Sequence, residues 1–201
     1  MPTFPLSLPT VTGLASIAWQ KESVVARSQS IFSLKSKVYD WSGKRWSAVV
    51  GLPTMAATEW RDWEAFFLSL NGPEGTFWLG PTLDKTARGV ATGTPLINGG
   101  SQSGQSIVSD GWTISQTGIL KAGDWLQIGN YLYRVLEDVN SDGSGNCTFE
   151  VWPNLRAAPD DDDPITVANP KGLFRLEEMP DLEQGQDHLV SGVTFRAIEA
   201  T

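Results

Sequence analysis

Between Ile119 and Arg156 apolar and polar residues alternate with a period of two, interrupted only by glycine-rich turns. Leu126 and Ile128 flank polar Gln127, Tyr131, Tyr133 and Val135 repeat the pattern, and Phe149 and Val151 resume it after Asp142-Gly143-Ser144-Gly145. Alternation of this kind places one row of side chains on one face of a strand. The segment therefore predicts three short strands that stop at Trp152-Pro153. A lone hairpin cannot bury such a face, so the strands predict a small barrel or sandwich.

On either side the pattern changes. Ile17 and Trp19 lie in an alternating run; Val38 and Trp41 flank another, and Ser42-Gly43-Lys44 reads as a turn into Trp46, Ala48 and Val50, which predicts a hairpin. Next, Trp60, Trp63, Phe67 and Leu70 recur at steps of three and four, the spacing of one helix face, and predict a helix near 55–70. Pro53-Thr54 offers its N-cap, and Asn71-Gly72-Pro73 a left-handed glycine cap and a stop. Gly75 to Gly80 reads as a short strand, as do Gly172–Leu176 and Ser191–Ala197 near the end. Gly, Ser, Thr and Asn dominate from about Asp84 to Gly104, and Pro159-Asp160-Asp161-Asp162-Asp163-Pro164 reads as a solvated linker. These two boundaries bracket a middle β module. The outer segments, 1–84 and 165–201, read as one α+β domain interrupted by an insertion at 85–164, because insertions succeed at exposed loops with neighbouring ends.

Composition narrows the function. The 201 residues suffice for one large or two small cores, and the net charge of −8 opposes non-specific binding to nucleic acid or to an anionic membrane surface. The N-terminal stretch lacks the basic start and unbroken apolar core of a signal peptide, and no apolar run approaches a bilayer's width, so the expectation is a soluble product made in the cytoplasm. One cysteine, Cys147, cannot build a disulfide framework or a thiolate cluster, and as a strand residue it reads as small and buried. Nine tryptophans are the oddity, suited to cores and to interface centres.

Candidate chemistry is sparse. Asp138, Asn140, Asp142, Gly143, Ser144 and Asn146 match the first half of a calcium loop, but Phe149 stands where the bidentate carboxylate belongs and Glu150 comes one residue late. A turn rich in Gly, Asn and Asp explains the same residues without metal. Asp160 to Asp163 repel one another and need a folded cage to converge on an ion. His188, the single histidine, has only Asp187 and Ser191 nearby and no recognised catalytic arrangement. The glycines around Gly99, Gly104 and Gly111 lack a phosphate-loop lysine, and Gly100–Gly104 has Gln102 where a nucleophile elbow needs serine. No catalytic, cofactor-binding or metal residue is assigned, and the expectation is a protein that is not an enzyme.

The order of several segments is similar to that in the distal tail proteins of long-tailed, non-contractile bacteriophages. They are Val38-Tyr39-Asp40-Trp41 to Trp46, Glu59 to Phe67, Gly75 to Gly80, Gly93 to Gly99, Leu120 to Gly129 and Asn169 to Arg175. The resemblance implies a mainly β (α+β) fold: a two-sheet, tail-tube-like domain with one helix, carrying an inserted small β-barrel of the oligonucleotide/oligosaccharide-binding kind. It implies a hexameric ring that joins the tail tube to the hub or baseplate in the virion's tail tip, with phage DNA passing the lumen without tight binding. A ring needs two different complementary surfaces on each subunit, and an acidic chain suits a lumen that passes phosphates. Two rivals stand beside this expectation. One is a carbohydrate- or receptor-binding module that stacks sugars on Trp112, Trp125, Tyr131 or Trp152. The other is an enzyme such as a cell-wall hydrolase, for which no acid pair is readable.

Overall fold

The computed structural model describes residues 2–180 and 188–201. In chain order its elements are β1 (Ser16–Gln29), β2 (Ser36–Gly51), β3 (Met55–Ala56), α1 (Ala57–Leu70), β4 (Phe77–Leu79), β5 (Gly93–Ile97), β6 (Ser106–Trp112), β7 (Trp125–Ile128), β8 (Tyr131–Val135), β9 (Cys147–Trp152), β10 (Ile165–Thr166), β11 (Gly172–Leu176), β12 (Leu189–Val190) and β13 (Thr194–Glu199). The fold is mainly β, as the alternation predicts, with a five-stranded sheet, a six-stranded barrel-like sheet and one helix among the described residues. No described helix is long and apolar enough to cross a membrane.

The five-stranded sheet draws on both ends of the chain, in the order β1-β2-β13-β11-β4. Its register aligns Ile17 with Val50, Trp19 with Ala48, Phe195 with Val50 and Phe77 with Phe174, so their side chains share one face. The opposite face is polar. There Glu22 accepts from Arg45 Nε at 2.6 Å and Arg196 Nη2 at 3.1 Å, and Arg196 also pairs with Glu177.

Helix α1 buries Trp60, Trp63, Phe67 and Leu70 as their spacing predicts, with Phe66 beside them. Both caps differ from expectation. The short strand β3 occupies Met55–Ala56 and pairs with β12, which delays the helix past Thr54. Ala56 is the N-cap and has no side-chain acceptor; instead Glu59 reaches back to the Ala56 N–H at 2.9 Å, half of a capping box. At the other end Asn71, not Gly72, is the first left-handed residue (φ 51°, ψ 49°). Asparagine tolerates that conformation better than most side chains.

The expected hairpin turn at Ser42-Gly43-Lys44 is also corrected. Strand β2 runs unbroken from Ser36 to Gly51 and pairs with β1, and the turn lies at Ser30–Lys35. Ser42 and Gly43 form a bulge: pairing passes from Ser23↔Lys44 to Val25↔Asp40, so extra residues sit on β2 alone. The Ser42 N–H donates to Asp40 Oδ1 at 2.8 Å and φ is 61° at Ser42, a local Asx turn held inside a strand.

The middle of the chain forms the barrel, with strand order β10-β7-β8-β9-β6-β5 and a Leu96↔Pro164 bridge bringing its two ends together. Leu126, Ile128, Tyr133, Val135, Phe149 and Val151 fill its core. Because Ile165 pairs with Ile128 and Thr166 with Gln127, this sheet continues past residue 164. The acidic run is a docked turn, not a free linker. Asp161 Oδ1 accepts the Gly99 N–H at 2.7 Å, Asp163 Oδ2 accepts the Asp160 N–H at 2.9 Å, and the Asp163 carbonyl accepts the Ile97 N–H at 2.9 Å.

Tyr133 lies in the barrel core, its hydroxyl accepting the Arg156 N–H at 3.1 Å, and burial pushes its phenol from 10.0 up to about 12. A folded value above the unfolded one means stability is complete below pH 10 and is lost as pH rises through the folded value. At the usual free energy per pH unit, the loss approaches about 2–3 kcal/mol near pH 12. Urea unfolding at pH 9 and pH 11.5 checks this: the difference between the two should shrink in Tyr133→Phe.

Candidate functional site

One apolar sheet face is divided between two coverings. At the end carrying Val50, Phe195 and Phe77, α1 packs on it, with Phe67 and Phe195 ring centroids 5.2 Å apart. At the other end the barrel packs on it. Trp125 lies 4.8 Å from Trp46 and 5.1 Å from Trp19, Trp152 lies 4.3 Å from Trp46, and Trp19 lies 5.7 Å from Phe174. Trp125 and Leu132 belong to barrel strands yet bury their side chains in the sheet's core. Alternation explains this: Leu126, Ile128, Tyr133 and Val135 face the barrel interior, leaving Trp125 and Leu132 on its outer surface.

Polar groups complete the seam. Trp46 Nε1 donates to the Leu132 carbonyl at 3.0 Å, and the Leu173 N–H to the Asn130 carbonyl at 2.8 Å. Gly172 allows the close approach, since a Cβ there would stand 3.0 Å from Leu132 Cβ and Leu132 would have to give way. Glu199, buried at the end of β13, accepts from the Trp46 N–H at 3.1 Å and from Arg156 Nη2 at 2.9 Å. Burial pushes its carboxyl above the ordinary value, and the Arg156 guanidinium only partly opposes this.

A cleft of 410 Å³ opens beside the seam, walled by Trp19, Trp46 and Trp152 with Lys21, Arg134 and Leu136 at its edges. Arg134 lies 4.9 Å over the Trp125 ring and donates through Nε to the Gly123 carbonyl at 2.8 Å. Of the four residues expected from sequence to stack a sugar, Trp112 and Trp125 are taken up by packing. Trp112 is buried in the barrel, donating to Ser109 Oγ at 2.9 Å; Trp125 is buried in the seam; Trp152 and Tyr131 are half-buried, at the seam and the barrel core respectively.

The calcium-like loop is spent on backbone. Asp138 accepts from Lys121 Nζ at 2.8 Å and the Ala122 N–H at 3.0 Å, Asn140 from the Gly118 N–H at 2.7 Å, and Asp142 Oδ1 from the Ser144 and Asn146 N–H groups at 2.8 Å each. These bonds hold the Asp138 and Asp142 carboxyls below the usual range. Among the described residues no His, Cys, Asp and Glu side chains cluster as a metal would need. His188 is exposed and serves through its carbonyl, which accepts the Ala57 N–H at 2.9 Å; Asp187 lies outside the described residues. Cys147 is buried at 3.1 Å from Ser109 Oγ, and burial pushes its thiol up. Sequence reasoning missed Asp124, a buried carboxylate that accepts the Arg88, Gly89 and Lys121 N–H groups and ties the module's entry to its turn.

The feature most at odds with a self-contained fold is the distal part of the β1–β2 hairpin. Beyond Ser23 and Lys44 its pairing continues to Gln29↔Ser36, with side chains exposed on both faces. Val24, Val25, Val38, Tyr39 and Trp41 are uncovered, and at the tip Ile31, Phe32 and Leu34 are 83%, 94% and 72% exposed. Tyr39 stacks on Trp41 at 6.1 Å, with Lys37 Nζ 4.9 Å from the Tyr39 ring. Backbone bonds hold the tip, from Ser30 N–H to the Lys35 carbonyl and Leu34 N–H to the Ser30 carbonyl, both 2.9 Å. Leu34 has φ 55°, a conformation bulky residues rarely adopt. The polar–apolar mixture here reads as an ordinary strand, and only the absence of a neighbour among the described residues distinguishes it.

No family model and no curated protein sequence matches this chain.

Glu199 in the seam and Cys147 in the barrel core each give a direct measurement. Glu199→Ala leaves the Arg156 guanidinium and the Trp46 N–H without their acceptor and should cost about 3–5 kcal/mol in urea unfolding, with Glu199→Gln costing less. Because the folded Glu199 value is raised, its contribution is complete below the unfolded value and lost as pH rises through the folded one, a slope that Glu199→Gln should remove. Cys147 should resist maleimide in the native protein and react on unfolding, as mass spectrometry reads directly.

Proposed function

We propose that this chain is a structural component of a bacteriophage tail tip, a ring-forming subunit that connects tail tube to hub or baseplate. The observation that carries the reading is the projecting hairpin. A two-stranded ribbon with apolar side chains on both faces is marginal by itself, and exposed apolar surface of this kind marks an interaction site in many proteins. The segment order described above supplies the kind of assembly. The aromatic seam supports the same reading, because it couples the barrel to the sheet and lets the subunit transmit load as one body. The acidic composition, with a net charge of −8, suits a lumen through which DNA slides without holding.

A second reading keeps the cleft of Trp19, Trp46 and Trp152 as a glycan contact that adds receptor recognition to the tail role. Indole walls with Lys21 and Arg134 at the edge favour a sugar bearing an acidic group.

Negative-stain electron microscopy and sedimentation of the purified chain, alone and mixed with tube protein, decide the ring reading. Six-membered rings with a central pore are expected, whereas a chain that stays monomeric in both conditions overturns it. Glycan binding that disappears in Trp152→Ala would establish the second reading.

A further inference from the structure

We infer that the hairpin tip of one subunit docks into a groove on a second copy of this chain, between the N-terminal strap (residues 6–12) and α1. This rests on the ring reading and identifies the contact that closes the ring.

The groove has a volume of 450 Å³ and is lined by Leu6, Pro9, Val11, Asp62, Ala65 and Phe66, among others. The strap is fixed rather than loose: Leu6 donates to the Thr76 carbonyl at 2.8 Å and accepts from the Trp78 N–H at 3.0 Å, while Trp63 Nε1 donates to Thr12 Oγ1 at 3.1 Å. Near it Val11 and Leu68 remain exposed. The groove is therefore preformed, shallow and mixed in character, with Leu6, Val11 and Phe66 beside Ser7, Thr10 and Ser69, and it is unoccupied by the described residues of its own chain. An aromatic side chain with an aliphatic neighbour, such as Phe32 with Ile31, fits a space of this size.

Charge selects the occupant. Over residues 23–44 Arg27, Lys35, Lys37 and Lys44 stand against the single carboxylate of Asp40. That is +3 on the hairpin in a chain of −8, leaving −11 on the remainder. The one charged residue lining the groove among those described is Asp62. A basic tip carrying apolar side chains thus meets a partly apolar groove that holds one carboxylate, Asp62, on an acidic body, the complementarity that a second copy provides.

Geometry excludes the hairpin's own groove. Helix α1 covers the end of the sheet where Ile17 pairs with Val50, whereas the hairpin leaves from the opposite end, beyond Ser23↔Lys44. At about 3.3 Å per residue, twelve residues along β1 put the tip on the order of 40 Å from that end. Tip and groove are different surfaces at opposite ends of one subunit. A contact between them is heterologous, the kind that closes a ring when its rotation divides a full turn and otherwise runs on as an open filament.

The buried Cys147 leaves the surface free of thiols among the described residues, so cross-linking tests the contact directly. Phe32→Cys and Ala65→Cys substitute exposed side chains, and unchanged melting temperatures would verify that each variant folds. Mixing the two single variants under mild oxidation should give a disulfide-linked dimer, and the double variant a ladder up to the ring. Phe32→Asp should raise the concentration needed for assembly at least tenfold. Absence of the mixed dimer overturns the proposal. So does unchanged assembly of Phe32→Asp, or co-sedimentation of the wild type with phosphatidylglycerol vesicles that depends on Phe32 while the cysteine variants fail to cross-link. Rings seen in the wild type while cross-links fail would retain the ring reading and reject this contact; a wild type that never forms rings rejects the reading itself.

Discussion

The structure depends on a single apolar sheet face being covered twice. Trp46 stands at the centre of the half that the barrel covers, against Trp19, Trp125 and Trp152, with its indole N–H satisfied by the Leu132 carbonyl. Aromatic rings supply large buried area and tolerate tilted and edge-on contacts, which suits a seam between two sheets that twist independently. The cost of the seam is the burial of Glu199, whose raised carboxyl records an acid held away from water. Its two partners, Arg156 from after β9 and the backbone of Trp46, come from the barrel side and the sheet side respectively. The polar centre of the seam therefore fixes its geometry as well as tolerating it.

This arrangement concentrates rigidity in the body and leaves the hairpin outside it. Beyond the bulge at Ser42 nothing in the described chain packs on β1 or β2, so the ribbon keeps its shape through backbone pairing and the turn at Ser30–Lys35. Hydrophobic burial is the dominant favourable term in folding, and residues such as Phe32 gain none of it within the monomer. Their contribution becomes available only on association. The ring reading proposed above would use such a division, with the body carrying the core and the hairpin's apolar surface left for a contact.

Much of this was legible in the sequence, and the failures have identifiable causes. The face of α1 followed from Trp60, Trp63, Phe67 and Leu70 because helical spacing is local geometry. Its start did not, because β3 forms only when β12 pairs with it from more than a hundred residues away. Ser42-Gly43 carries turn chemistry and does make a local Asx turn, but long-range pairing on both sides converts that turn into a bulge. The acidic run from Asp160 to Asp163 resembles a linker in composition and becomes structural because its carboxylates cap backbone N–H groups.

The sequence by itself determined which residues alternate and therefore which rows of side chains share a face, since a period of two is a property of the strand. It equally determined that the Asp138–Asn146 loop turns without a carboxylate at Phe149 to complete a cation cage. Only the tertiary structure decided what each row meets. Trp125 and Leu132 occupy the outward row of a small barrel, and Tyr39 and Trp41 occupy rows of a ribbon, with nothing in their periodicity to separate them. The first pair is buried under a second sheet and the other is left in solvent. Burial depends on elements distant in sequence, and alternation reports the direction of a side chain, not its neighbour.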